Sequence, residues 1–333
     1  MASLDIFNND AFSVTNLSKT IIDIPQVQTI LGDSGLFTES GITTTSVMIE
    51  RQGSSLRLVP AAQRGGVGQP VSLTGRSMIS LVTTHLPQTG SVLADEVQNV
   101  RAFGSETEVD SVMNVLKKKL AVAKGNLDLT LEYHRIGAIK GQILDADGTT
   151  VLLDLYTAFG MTQATLNFVL GIAGTRVKDK IADLKRTIRT KLGGRSFTGV
   201  DVWCSASYFD DLTRHATIEK AFELFNQNAY ARNDPRGAAF SFAGVTFREY
   251  LGGVGGTDFI PAGQAFAVPT GVAGLFETNF APAPYMETVN TMGLPYYAKQ
   301  EAMPMNKGVN FETQSNPLNF CTLPEAVVKC LSA

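Results

Sequence analysis

Three histidines are the first place to look for chemistry. His85, His134 and His215 form neither HExxH nor any paired metal spacing. His134 stands between Tyr133 and Arg135 in a helical stretch, where a core or surface role is the simpler reading. The three cysteines, Cys204, Cys321 and Cys330, show no CxxC spacing and read as free, mostly buried thiols, with a Cys321–Cys330 disulfide as the minor alternative. GxSxG is missing, so there is no nucleophile elbow. Two glycine-rich stretches, RGGVGQ (Arg64–Gln69) and LGGVGGTD (Leu251–Asp258), lack the Lys-Ser/Thr of a phosphate loop and read as turns or tips. Asp145 and Asp147 open like a calcium loop. Its twelfth position is Tyr156 where a glutamate is needed, so Asp147-Gly148 reads as a hairpin turn. The remaining carboxylates are scattered. No catalytic residue, metal ligand or cofactor is named, and the chain is not expected to be an enzyme.

Bulk composition fits a packed protein without an anionic partner. The chain has 333 residues, 44% hydrophobic and 18% charged, with a net charge of -3. That length suggests about two domains. Nothing global attracts nucleic acid or an acidic membrane. The first twenty residues are polar and lack a signal-peptide core, and no apolar run approaches the ~18 residues of a membrane span. The expected setting is a reducing cytosol, without export.

If no side-chain cluster carries chemistry, the elements themselves become the signal. Residues 1–45 are weakly periodic, with short helical pieces around Val27–Leu31, and read as an arm ordered by other surfaces. Residues 46–90 read as a long β-hairpin whose soft tip holds Arg64, Gly65, Gly66, Gly68 and Gln69. Its arms reach about 40 Å at ~3.3 Å per residue. A lone hairpin is marginal in water, so this one needs a surface beyond itself. Ser105 and Glu108 form a capping-box signature. Val109, Val112, Leu116, Leu120, Ala123, Leu127 and Leu131 then make one apolar stripe, which predicts a helix ending near Gly141, about 50 Å long. Lys117–Lys119 beside that stripe reads as a solvated face. Residues 175–194 predict a basic amphipathic helix, with Val177, Ile181, Leu184, Ile188 and Leu192 on one side. A buried strand (VDVWCSAS), a second helix (YFDDLTRHATIEKAFELF) and glycine-separated strands follow, which together predict a compact α/β module.

The order of these elements resembles the phage major capsid protein E family, the lambda-type branch of the Hong Kong 97 capsid fold. The tail carries the most specific likeness: the proline-punctuated run from Phe259 to Lys299, the NTMGLPY segment (Asn290–Tyr296), the QSNP segment (Gln314–Pro317) and Pro324 before the last strand. DADGTTVLLDLYTAFG after the long helix also resembles the family. The likeness spans essentially the whole chain.

The resemblance implies an α+β fold with an N-terminal arm (1–45), an extended β-hairpin loop (46–90), a spine helix and first part of a peripheral domain (91–172), an axial domain (173–273) and the C-terminal part of the peripheral domain (274–333). Leu116, Leu120 and Leu127 would form the structural spine. The loop tip, Arg64, Gly65, Gly66, Gly68 and Gln69, would contact the next subunit in a ring. The implied function is self-assembly into hexamers and pentamers of an icosahedral head around double-stranded DNA, bound without sequence specificity. Implied partners are the chain itself, a separate scaffolding protein (the arm begins almost at once), a portal and, optionally, a decoration protein, with no membrane. Assembly would occur in the bacterial host cytoplasm and the product would be the virion capsid. Relatives that lock their shells covalently use a loop lysine, and residues 46–90 contain none, so non-covalent contacts are expected. Two alternatives stay open: an encapsulin-like compartment, and a soluble enzyme built on residues 173–273.

Overall fold

In the computed structural model the described residues are 13–24, 29–52, 76–97, 108–219 and 239–333. They fall into two compact units. The first comprises Met1–Val47, Val82–Arg135 and Phe276–Asn319; the second comprises Met48–Leu81, Ile136–Leu275 and Phe320–Ala333.

The second unit is built on a six-stranded sheet. Its strands run in the spatial order Ala164–Asn167, Val328–Leu331, Gln264–Thr270, Gly199–Cys204, Val245–Glu249 and Ala239–Phe242. Gln264–Thr270 is antiparallel to both of its neighbours, whereas Val245–Glu249 runs parallel to Gly199–Cys204. The last two strands form a hairpin whose turn residues, Ala243 and Gly244, both have positive φ, the geometry that matches strand twist in a two-residue loop. The helix Val177–Lys191 buries Val177, Ile181, Leu184 and Ile188 in one core with Val200, Val202, Cys204, Ala265, Ala267 and Val328. Spacing of three and four puts those four side chains on one face, and Gly193 and Gly194, both at positive φ, end the run. The next helix, Ala206–Arg214, is shorter than its sequence predicts. It begins at Ser205, whose Oγ accepts from the Tyr208 N–H, and stops at His215, which is extended. The His215 ring lies 3.1 Å from the Ile172 carbonyl through Nε2, and its Nδ1 accepts from the Thr217 N–H. This anchor breaks the helix, and residues 216–219 start another turn.

The first unit holds a three-stranded antiparallel sheet ordered Tyr297–Ala302, Gly308–Ser315, Leu86–Leu93. A second three-stranded sheet is ordered Thr38–Gly41, Phe276–Phe280 and Pro317–Cys321, the last strand belonging to this unit as far as Asn319. The long helix runs Glu108–Lys140, 33 residues or about 50 Å. Its residues to Arg135 belong to this unit. Leu116, Leu120 and Leu127 are buried in one core with Val92, Tyr296, Ala298, Phe311, Leu17 and Ile21. The helix ends where Gly141 turns to φ 85 and a Cβ would strike the Tyr156 ring at 2.0 Å. Ser105 and the side chains of Val109 and Val112 lie outside the described residues.

One expectation needs correcting. The weak periodicity of residues 1–45 hid a ten-residue helix, Val14–Asp23, that buries Leu17 and Ile21 completely. Its N-cap is Ser13, whose Oγ accepts from the Asn16 N–H at 3.4 Å. Of the predicted helical piece near Val27–Leu31, residues 27 and 28 lie outside the described residues, and the short helix Ile30–Asp33 takes in its end. Fewer than three turns offer few apolar repeats, so the pattern is hard to see without the cap.

Candidate assembly interface

The residues that sequence reading examined for chemistry are held apart in structural roles. His85 Nδ1 lies 2.7 Å from Asn316 Oδ1, His134 is buried on the long helix, and His215 anchors a loop. No group of three or more His, Cys, Asp or Glu among the described residues could hold a metal ion. Cys204, Cys321 and Cys330 are free and buried, and burial raises all three thiol pKa values, that of Cys321 to about 12. They carry little thiolate and make poor nucleophiles. Asp147 accepts from the Thr150 hydroxyl and from the N–H groups of Thr149 and Thr150, which hold its carboxyl well below the ordinary range. Its oxygens are occupied by the turn, with Asp145 accepting Gly148 N–H through its carbonyl. Among the described residues no helix is long and apolar enough to cross a membrane.

What remains is surface. The strands Ser46–Gln52 and Arg76–Val82 pair with each other, and residues 53–75 between them lie outside the described residues. Their alternation leaves Met48 and Met78 66% exposed and Val82 68% exposed, while Leu81 is buried. Large apolar side chains left in water on a two-stranded ribbon mark a surface that gains from being covered. The tip residues Arg64, Gly65, Gly66, Gly68 and Gln69 lie outside the described residues.

In the first unit, the strand Leu86–Leu93 carries a shallow groove. Gly90 faces Phe311 across the register, and a Cβ there would come within 2.4 Å of the ring, so only glycine lets the ring lie flat on the strand. Thr89, Ser91, Tyr285, Lys299 and Glu312 line one side. Tyr285 donates to Glu312 Oε1 at 2.9 Å, and Lys299, bonded to Glu287, lies 5.0 Å over the Tyr285 ring. Burial, then the Glu312 carboxylate, pushes the Tyr285 phenol above its ordinary pKa. Tyr285, Glu312, Lys299 and Glu287 are thus tied into one polar network at this groove. On the long helix Lys117 and Lys118 are exposed, but Lys119 bonds the Ser91 carbonyl and Glu96. Met286, Val289, Met292 and Met305 are exposed on the loops of this unit, with Met305 at φ 60. Sequence reading missed this group. Its signal was legible in part, as large apolar residues between Pro284 and Asn306 with no alternation to bury them.

A family model described as phage major capsid protein E matches residues 13–331. The major capsid protein of Pseudomonas phage KPP10 is 28% identical over 342 residues, covering 96% of each chain. The major capsid protein of Salmonella phage Felix O1 is 26% identical over 352 residues, covering 95% of each chain. Among solved structures, the capsid asymmetric unit of cyanophage Pam1 superposes with a TM-score of 0.51 at 12% identity, covering 87% of this chain and 86% of that one. This last likeness concerns the fold.

Proposed function

Since this chain belongs to the phage major capsid protein E family, we propose that it forms the hexamers and pentamers of an icosahedral head enclosing the double-stranded DNA of a tailed phage. The protein is a structural capsid subunit of the Hong Kong 97-type α+β fold, not an enzyme. The observation that carries the reading is the span of the family match, which takes in both units, the hairpin and the long helix.

On this reading residues 1–45 are the arm and 46–90 the extended loop. The peripheral domain is assembled from 91–172 and 274–333 and the axial domain is 173–273, except that the strands Ala164–Asn167 and Val328–Leu331 complete the six-stranded sheet of the axial domain. The loop tip, Arg64 to Gln69, seats on the adjacent subunit, a head-to-tail contact that closes into rings when the rotation allows. Gly65, Gly66 and Gly68 let the tip adopt more than one backbone conformation, as rings of five and six require. A net charge of -3 suits a wall that holds DNA without binding it tightly. A separate scaffolding protein, a portal and an optional decoration protein complete assembly in the host cytoplasm. With no lysine in residues 46–90, the shell is held without loop isopeptide bonds.

Negative-stain microscopy of the protein, alone and co-expressed with its scaffold, tests the reading. Shells or five- and six-membered rings are expected; a monodisperse monomer in both preparations would overturn it. Deleting Ala62–Gln69 should leave melting by circular dichroism unchanged but abolish rings and shells in sedimentation. Boiling mature particles in detergent and reductant should release one monomer band, whereas a ladder of covalent multimers would refute the non-covalent shell.

A further inference from the structure

Within the first unit, four charged side chains on one stretch of the long helix are buried: Lys124, Asp128, Glu132 and Arg135. Their spacing of four, four and three places them along one helical face. Three of them meet the N-terminal segment where its own sequence supplies no partner. The helix Val14–Asp23 has no basic residue in its last turn. Lys124 Nζ instead donates to the carbonyl of Ile22 at 3.0 Å and to that of Ile24. A cation there meets both the open carbonyls and the negative end of the helix dipole. The helix Ile30–Asp33 is preceded by Thr29, which makes no capping bond. Glu132 Oε1 supplies the missing acceptor, taking the Leu31 N–H at 2.8 Å across 101 residues of sequence. Arg135 then bonds Glu39, with its guanidinium 5.5 Å over the Phe37 ring. Asp128 accepts the Tyr296 hydroxyl, and the same ring lies 5.0 Å from Lys124 Nζ. Tyr296 and Asp128 thereby hold Lys124 in position.

We propose that Lys124, Glu132 and Arg135 form a clasp that makes the folded state of the N-terminal strap, residues 14–24 and 29–39, conditional on its being seated on the long helix and on the strand Tyr297–Ala302, whose Ala298 N–H donates to Ser18 Oγ. Isolated helices of ten and four residues do not persist in water. Each strap helix also borrows an end-cap from the long helix. Unseating therefore removes the caps and the buried surface of Leu17 and Ile21 together, and the strap has two states, seated and helical or released and unfolded. The eight-residue interval from Lys124 to Glu132 sets the register, since a cation must fall at the end of one strap helix and an anion at the start of the next. A second, distinct consequence is that the strap is releasable as a piece, while the six-stranded sheet keeps its own apolar core.

The test is hydrogen–deuterium exchange on the full chain carrying Lys124→Met or Glu132→Gln, each close in size to the residue it replaces. Amides in residues 14–33 should exchange at least tenfold faster in each variant, with the strand Gln264–Thr270 unchanged. Trypsin should cut after the exposed Lys19 sooner than in the wild type. Unchanged protection of residues 14–33 in both variants would overturn the proposal. So would an equal loss of protection in Gln264–Thr270, or failure of both variants to give soluble protein, because the charges would then be part of the general core.

Discussion

In the six-stranded unit the buried positions of the amphipathic helix are Val177, Ile181, Leu184 and Ile188; in the other unit the long helix buries Lys124, Asp128, Glu132 and Arg135 beside Leu116, Leu120 and Leu127. The first interior is held by apolar area, which is non-directional and grows with the surface removed from water. The second adds charges that are tolerable only where every partner is in place, since an unpaired buried ion costs several kcal/mol. Apolar burial fixes that a helix packs. Buried charge fixes where along the helix another segment sits. The two interiors should therefore fail in different ways.

The largest effect should come from putting a charge where no partner waits. Val202→Asp, in the centre of the six-stranded sheet, and Leu120→Asp, on the long helix, should each leave a buried, unpaired carboxylate and abolish soluble, assembly-competent protein. Soluble yield and particle sedimentation measure this. Normal particles from Leu120→Asp would mean that the stripe does not seat the helix. A smaller effect separates the regions by kind. Leu184→Ala should lower unfolding free energy by about 2–5 kcal/mol through lost burial and a cavity, read as a shift of the urea midpoint. Its loss of amide protection should spread over the whole sheet, in contrast to the local loss expected from the clasp variants.

The thiols sharpen the comparison by pH. All three belong to the six-stranded unit, and burial raises the Cys321 pKa from 9.0 to about 12, with Cys204 and Cys330 also raised. An acid with a raised folded pKa stabilises the fold fully below its unfolded value. That stability is lost as pH climbs from about 9 through about 12. Cys321 should contribute a decline of up to about 1.4 kcal/mol per pH unit in that window, and Cys204 and Cys330, raised in the same direction, act with the same sign. Urea midpoints at pH 8 and pH 10.5 test this, and native protein at pH 8 should resist iodoacetamide until unfolded. The smallest effect belongs to the exposed pairs Arg186–Asp183 and Arg214–Asp210. Arg186→Ala and Arg214→Ala should leave the urea midpoint within error, because solvent and salt screen such pairs.

The sequence by itself determined the elements whose signals are local or repeated. The long helix shows its stripe over many turns, and the helix Val177–Lys191 shows five apolar positions closed by two glycines. Asp147-Gly148 declares its turn by residue type alone, and the order of the proline-punctuated tail carried the family. Only the tertiary structure decided the rest. Lys124, Glu132 and Arg135 look like solvated residues in a pattern that ranks charges as exposed. Their partners lie about a hundred residues earlier in the chain, so no window of sequence contains both halves of the clasp. The helix Val14–Asp23 was hidden because what holds it is supplied by the long helix and the strand Tyr297–Ala302, both distant in sequence. His215 ended a helix that periodicity would have continued, through a bond to Ile172 that is 43 residues away. Periodicity reports which face of an element is apolar. It does not report which polar groups find partners across the fold, because that depends on distances only the folded chain creates.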